Sequence, residues 1–347
     1  MTSISRRWRS GALASLLPAF ASLVPAPAWA CATCGCTLSA DAATGYSSAT
    51  GWRVSAEFDF IDQDELRGGT HRATPGQVVD EPADPTADGG EIEKDTLNRY
   101  LTLGLAYSPG ANWNFDLRVP YVSRGHTSYG DQDQPFDPAE IAPDQLSGAH
   151  VSGLGDAKLI ASWQGLLPTH SLGLQLGLKL PTGRYGTAVN FDSGPMAGDA
   201  LDASLQAGTG STDLIVGAYF FRAISQDFDA FVNAQYQSAI AERQNDTGND
   251  FRPGNSASMS FGLRYEAHPG WIPQLQVNLL HKAADQGALA DRFDTAGTVA
   301  YLSPGLTLKA AQGLYVYGFV QVPVYSNLDG YQLFPHWSAS VGLSYAL

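Results

Sequence analysis

The chain has 347 residues, with 20 Lys+Arg against 34 Asp+Glu and a net charge of −14. That acidic balance argues against a partner held through its phosphates, so nucleic acid is set aside. No run of about twenty apolar residues follows residue 30, which excludes a membrane helix beyond that point.

Residues 1–30 read as a secretory signal. Arg6, Arg7 and Arg9 form its basic start, and Gly11 to Val24 is mostly apolar but short for a membrane span. Ala28-Trp29-Ala30 is a small-x-small cleavage site, so the mature chain is expected to begin at Cys31. A lipoprotein signal cut before the same cysteine is the alternative, although Ala28 stands where such a signal usually has Leu. Without the signal, 17 cations face 34 acids.

Residues 31–50 are expected to form a periplasmic arm carrying all three cysteines, Cys31, Cys34 and Cys36. Three thiolates beside a free α-amine suit a soft ion such as Cu(I) or Zn(II). The C-x-x-C spacing equally suits a redox dithiol docking a periplasmic partner. A disulfide plus one spare thiol is the plain reading. These readings stay open. Gly35 rather than His follows Cys34, so this is no haem attachment site.

From residue 51 to 347 one pattern repeats, and it is read as a single domain. In residues 171–180, Leu172, Leu174, Leu176, Leu178 and Leu180 share one face, while Gly173, Gln175, Gly177 and Lys179 share the other. Side chains of a strand alternate faces, so such a segment stands between oil and water. Twelve strands are predicted: 52–61, 97–107, 113–123, 154–164, 171–180, 212–222, 228–238, 257–266, 272–282, 297–308, 313–323 and 336–346. Short Pro/Gly turns alternate with long polar connections at 62–96, 124–153, 181–211, 239–256, 283–296 and 324–335. The fold class is therefore all-β, a transmembrane antiparallel up-and-down barrel with short periplasmic turns and long extracellular loops. Its expected location is the outer membrane of a Gram-negative cell, surrounded by lipid. A soluble sandwich or lipocalin-like cup accounts for neither the alternation of loops nor the number of hairpins.

The outward faces are apolar, for example Trp113, Phe115, Leu117, Val119 and Tyr121, or Trp337, Ala339, Val341, Leu343 and Tyr345. Aromatic residues near strand ends, among them Tyr107, Trp163, Tyr236, Tyr265 and Trp271, are expected to form two girdles at the headgroups. The inward faces carry Arg53, Glu57, Asp59, Asp116, Arg118, Asp156, Lys158, Lys179, Asp229, Arg264, Glu266 and Lys282. A charge facing lipid at mid-depth costs about 2–4 kcal/mol, which places these twelve in the lumen. They either fill a narrow barrel as a salt-bridge network or line a solute path, since twelve strands lie between a filled and an open barrel. The end, Ser344-Tyr345-Ala346-Leu347, resembles the signal read by the barrel-insertion machinery, with the aromatic two residues early.

Three short motifs carry a family resemblance: Val119-Pro120-Tyr121, Gly153-Leu154-Gly155-Asp156 and Lys179-Leu180-Pro181-Thr182-Gly183. In this order the chain resembles, over about residues 50–347, the outer-membrane transporter family assigned to the MetA pathway of phenol degradation. The resemblance implies a monomeric barrel that passes, or helps to pass, small compounds, hydrophobic and aromatic ones included. It carries over no catalytic residue. Read physically, the motifs are structural: Pro181 suits a strand end, and Gly153 and Gly155 suit a bulge.

No enzyme is expected. The chain has no Gly-x-Ser-x-Gly elbow, P-loop or His-Glu-x-x-His, and its seven histidines are scattered. The expected function is an outer-membrane, porin-like channel or transporter for small solutes. The alternative is an occluded barrel serving as a binding or assembly platform, with its cysteine arm working on a metal or a redox partner.

Overall fold

The computed structural model describes residues 50–79, 91–131, 136–186 and 189–347. The signal, Cys31, Cys34 and Cys36 lie outside the described residues.

The backbone is almost entirely strand: β1 (Gly51–Gly69), β2 (Glu91–Gly110), β3 (Trp113–Asp131), β4 (Ser147–Leu154), β5 (Ala157–Trp163), β6 (Leu172–Leu180), β7 (Ser211–Ala223), β8 (Phe228–Glu242), β9 (Ser256–Tyr265), β10 (Trp271–Lys282), β11 (Gly297–Ala311) and β12 (Leu314–Ala346). Each neighbouring pair is antiparallel, and β12 returns to β1 with Arg53 opposite Ala346, which closes the barrel. Eleven continuous strands form the closed wall, with β4 and a two-residue strand at His71–Arg72 outside it. Closure satisfies every ladder internally, the condition for a sheet in lipid. Among the described residues no helix is long and apolar enough to cross a membrane.

The last strand occupies two wall positions. Residues 314–328 of β12 pair with β11, and residues 328–346 pair with β1. Ala346 N–H donates to Gly313 O at 2.9 Å, so the two arms lie side by side. The bend falls at Asp329-Gly330, where Gly330 takes φ +50°. Asp-Gly is a tight-hairpin signal, because the turn needs positive φ. The expected loop at 324–335 is therefore corrected to strand around a two-residue bend. Counted by position rather than by continuous strand, the wall has twelve places.

The other polar connections shrink in the same way. β1 continues to Gly69 rather than 61, β2 starts at Glu91 rather than 97, and β3 runs to Asp131 rather than 123. These extensions pair polar residues such as Thr96 with His126 and Asn98 with Arg124. They have lost the apolar face that marks a strand in lipid, so hydropathy stops reporting them where the lipid ends.

Below that height the outer face is continuous oil. Leu159 of β5 stands between Leu117 of β3 and Leu178 of β6, all exposed. Leu101, Leu103, Leu105 and Leu176 extend the same surface. At the short-turn end Trp52 lies 4.5 Å from Tyr107, Trp113 6.4 Å from Trp163 and Phe228 5.0 Å from Tyr265, ring centre to ring centre. Exposed Tyr121, Tyr236, Tyr325 and Trp337 mark the other edge. Amphipathic rings at two heights bracket the lipid-facing band.

Candidate functional site in the lumen

One place in the wall is broken. β4 pairs with β3 from Tyr121 to Ser128, β5 pairs with it from Trp113 to Arg118, and Gly155-Asp156 separates the two. Val119 and Pro120 of β3 face the gap. Pro120 has no N–H to offer a neighbour, and its carbonyl accepts from Gly155 N–H at 2.8 Å.

All three sequence motifs converge on this break. Thr182 Oγ1 donates to Gly155 O (2.8 Å) and accepts from Ala157 N–H (2.9 Å). Asp156 Oδ1 accepts from Gly183 N–H at 3.0 Å, and its Oδ2 accepts from both Thr209 N–H and Thr209 Oγ1 at 2.9 Å. Lys179 lies 3.5 Å from Asp156 and 2.9 Å from Asp213 of β7, and also donates to Ser211 Oγ at 3.0 Å and to Thr209 Oγ1. Asp213 accepts further from Ser211 Oγ and Gln237 Nε2, each at 2.6 Å. A Cβ on Gly183 would meet Gly208 Cα at 2.7 Å, so both positions need a hydrogen for the chains to pass.

These bonds pin both feet of the connection between β6 and β7, residues 181–210. The connection turns inward. Its Phe191, Leu201 and Ala207 pack on Val122 of β3 and Ala149 and Val151 of β4 in one buried cluster. Asp202 caps a short helical turn, accepting from Ser204 N–H at 2.5 Å. Burial pushes the Asp202 carboxyl up to about 6 against that hydrogen bond, and the charges of Asp291 and Asp285 push the same way.

Between this inward connection and the wall is a cavity of about 390 Å³. Six of the twelve charged positions expected in the lumen line it: Asp116, Arg118, Asp156, Lys158, Lys179 and Lys282. Arg118, Lys158 and Lys179 are register partners on β3, β5 and β6, so they form one horizontal row. Arg118 bonds Asp116 at 2.5 Å, and Lys282 pairs with Asp285 at 2.7 Å.

The other six lie elsewhere. Glu57 and Asp59 are buried on β1 and accept from Tyr317 Oη (2.7 Å) and Ser340 Oγ (2.5 Å) of β12. Arg53, Asp229, Arg264 and Glu266 stand near the short-turn end. There Arg264 pairs with Glu266 at 2.9 Å and faces Asp229 in register. Glu266 falls one residue beyond β9, at the start of the turn.

Near Glu57 and Asp59 the interior is filled. Tyr317 and Phe319 are buried; a Cβ on Gly342, in the other arm of β12, would land on the Tyr317 ring, and one on Gly305 of β11 on the Phe319 ring. Tyr219 lies over Gly173 and Phe231 over Gly262 in the same way. Gln274, Ser303 and Thr307 complete this packing, with Gln274 donating to Thr307 at 2.8 Å.

Several residues of the site were not singled out by sequence. Asp213 carries the same in-facing parity as Ser211 and Ile215 at the start of β7 and could have been found by it. Thr209 and Gly208 lie in an irregular stretch with no period to read. Tyr317 reads as one more apolar residue until Glu57 is placed beside it.

A closed antiparallel wall, an apolar belt between two aromatic edges and a charged interior define an outer-membrane β-barrel. No protein-family model matches the chain, and no curated protein matches it either. Among solved structures, an outer-membrane channel from Pseudomonas putida F1 overlays 86% of this chain and 96% of its own, with TM-score 0.60 and 12% identity. A toluene transporter from Ralstonia pickettii overlays 86% of this chain and 90% of its own, with TM-score 0.40 and 10% identity. A monoaromatic hydrocarbon channel overlays 89% and 93%, with TM-score 0.43 and 10% identity. At such identities the likeness is one of fold.

Proposed function

We propose that this barrel is a passive channel for small solutes, with residues 181–210 setting its bore. The observation that carries the reading is the charge-lined cavity between that connection and the wall. A barrel that only had to be filled could repeat the Tyr317 and Phe319 arrangement all round. Here a polar space is kept open instead, and four protein segments are tied together to hold its boundary. The fold shared with a Pseudomonas putida F1 channel supports the reading, as does the resemblance of the motifs to a transporter family. The lining adds a preference for solutes with polar groups, because carboxylates, ammonium groups and amides face the space and hydrocarbon gains little from them.

The test is single-channel conductance of the refolded mature protein in a planar bilayer, repeated with the residues before Gly51 deleted. Discrete steps in either form support the channel. Steps only after deletion make the cysteine arm a plug. Silence in both sinks the channel and leaves the occluded platform.

A further inference from the structure

The cavity lining is unbalanced in charge. Four carboxylates, Asp116, Asp156, Asp213 and Asp285, face five cations, Arg118, Arg124, Lys158, Lys179 and Lys282. The carboxylates are all engaged. Asp116 is held by Arg118, Asp285 by Lys282, and Asp156 and Asp213 by Lys179 together with the hydroxyl, amide and backbone donors described above. Arg124 is engaged too, donating to Asn98 Oδ1 (2.5 Å) and Tyr100 Oη (2.8 Å). Lys158 stands apart: among the described residues its ammonium makes no hydrogen bond and no contact ion pair. Three donors and one positive charge therefore face the space.

A second side chain in the same lining is unsatisfied. Gln276 of β10 is 0% exposed, and neither its Oε1 nor its Nε2 meets a partner among the described residues. Asn278 Oδ1 and Asn233 Oδ1, also in the lining, are without partners too. Native interiors seldom leave such groups unpaired, and a bound water or solute is one way to satisfy them. The unmet needs are of two kinds: one cation for an anionic acceptor, and several amide oxygens for a hydroxyl donor.

We infer that the lumen holds a binding subsite for a small hydroxylated monocarboxylate, its carboxylate on Lys158 and its hydroxyl on the amides led by Gln276. A charge-assisted bond to the ammonium supplies most of the affinity. The amides supply discrimination, since a site built to bond a hydroxyl rejects the analogue that lacks one. One ammonium without a contact, that of Lys158, matches one carboxylate rather than two. The inference rests on the lumen being the solute path.

The experiment is equilibrium dialysis of radiolabelled lactate against the detergent-solubilised protein, with unlabelled propionate and propane-1,2-diol as competitors. Saturable binding is expected, with lactate competing best, propionate next and the diol least. Lys158→Gln should weaken lactate about tenfold or more, while Lys158→Arg keeps it within about threefold and shows that the fold tolerates change there. Gln276→Leu should weaken lactate several-fold and leave propionate unchanged. Absence of saturable lactate binding overturns the inference, as does unchanged binding in Lys158→Gln. Bilayer recordings separate the two readings. Open steps without lactate binding keep the channel and remove the subsite; lactate binding with a silent bilayer keeps the subsite and removes the channel.

Discussion

The two sides of the lumen solve the same geometrical problem in opposite ways. Around Tyr317, Phe319, Tyr219 and Phe231 the interior is packed by rings laid over glycines and by neutral hydrogen-bonding side chains. From β3 to β7 it is spanned by buried charges that anchor a folded-in connection and leave a cavity. Both sides belong to one sheet with one alternation of faces. The wall alone therefore does not determine whether a barrel is filled or hollow; the small in-facing residues decide. Where glycine sits beside Tyr or Phe, the ring lies flat and closes the space. Where glycine sits beside glycine, as at Gly183 and Gly208, a second backbone can pass.

The largest expected effect comes from Asp156→Ala. It removes the acceptor for Gly183, for both groups of Thr209 and for one side of Lys179. Breaking one member of a buried charge network costs about 3–5 kcal/mol. Residues 184–207 should become cleavable by protease in the folded barrel, and conductance should rise. Faster cleavage without a change in current would mean that the connection does not limit the bore. Tyr317→Phe acts on the filled side. It removes a donor to the buried Glu57 carboxylate, at about 1.5–3 kcal/mol. Urea unfolding should shift to lower concentration while protease resistance of residues 184–207 stays unchanged. Any loosening of that connection would show that the two sides are coupled. Gly305→Val overpacks against Phe319 and should cost about 1–3 kcal/mol, again without altering the current.

The smallest effect expected is one of pH. The Asp202 carboxyl sits at about 6 when the connection is folded in, above its ordinary value of 3.8. Its burial therefore favours the folded-in state fully below about pH 4 and loses that advantage as pH rises through about 6. Current measured from pH 7 down to pH 5 should fall as the connection tightens. Asp202→Asn should flatten that response. A wild-type current that rises on acidification would reverse the assignment.

The lipid-facing part of the barrel was legible in sequence because a two-residue period with one oily face belongs to a strand at an oil–water boundary and to no helix. Leu172 to Leu180 is the clearest case, and the expected strand there nearly matches β6. Legibility ended where oil ended. The paired extensions of β1, β2 and β3 look like polar loop because both faces are polar. Residues 324–335 escape for another reason: their apolar Leu328, Leu333 and Phe334 are buried and follow no strict two-residue period. The site was half visible. Parity placed Asp116, Arg118, Asp156, Lys158 and Lys179 inward, but Thr209, Ser211 and Asp213, which hold Asp156 and Lys179, are brought there by tertiary folding. The three separated motifs meet at the break beside Pro120. The copper or zinc and redox expectations for Cys31, Cys34 and Cys36 keep their own test, metal analysis beside Cys34→Ser.

The seam between β1 and β12 has a consequence for how the barrel is built. Every other wall contact joins segments that follow one another, so hairpins can assemble in succession at low entropic cost. Only the seam brings Arg53 to Ala346 across nearly the whole chain. Closing a long loop is the slow, entropically expensive event in such a topology. The growing sheet keeps two open edges until then, and the edge of β1, exposed from the start, waits longest for its mate. Assembly thus ends where the chain began, and damage at either end of the seam should strand the sheet open rather than weaken a finished cylinder.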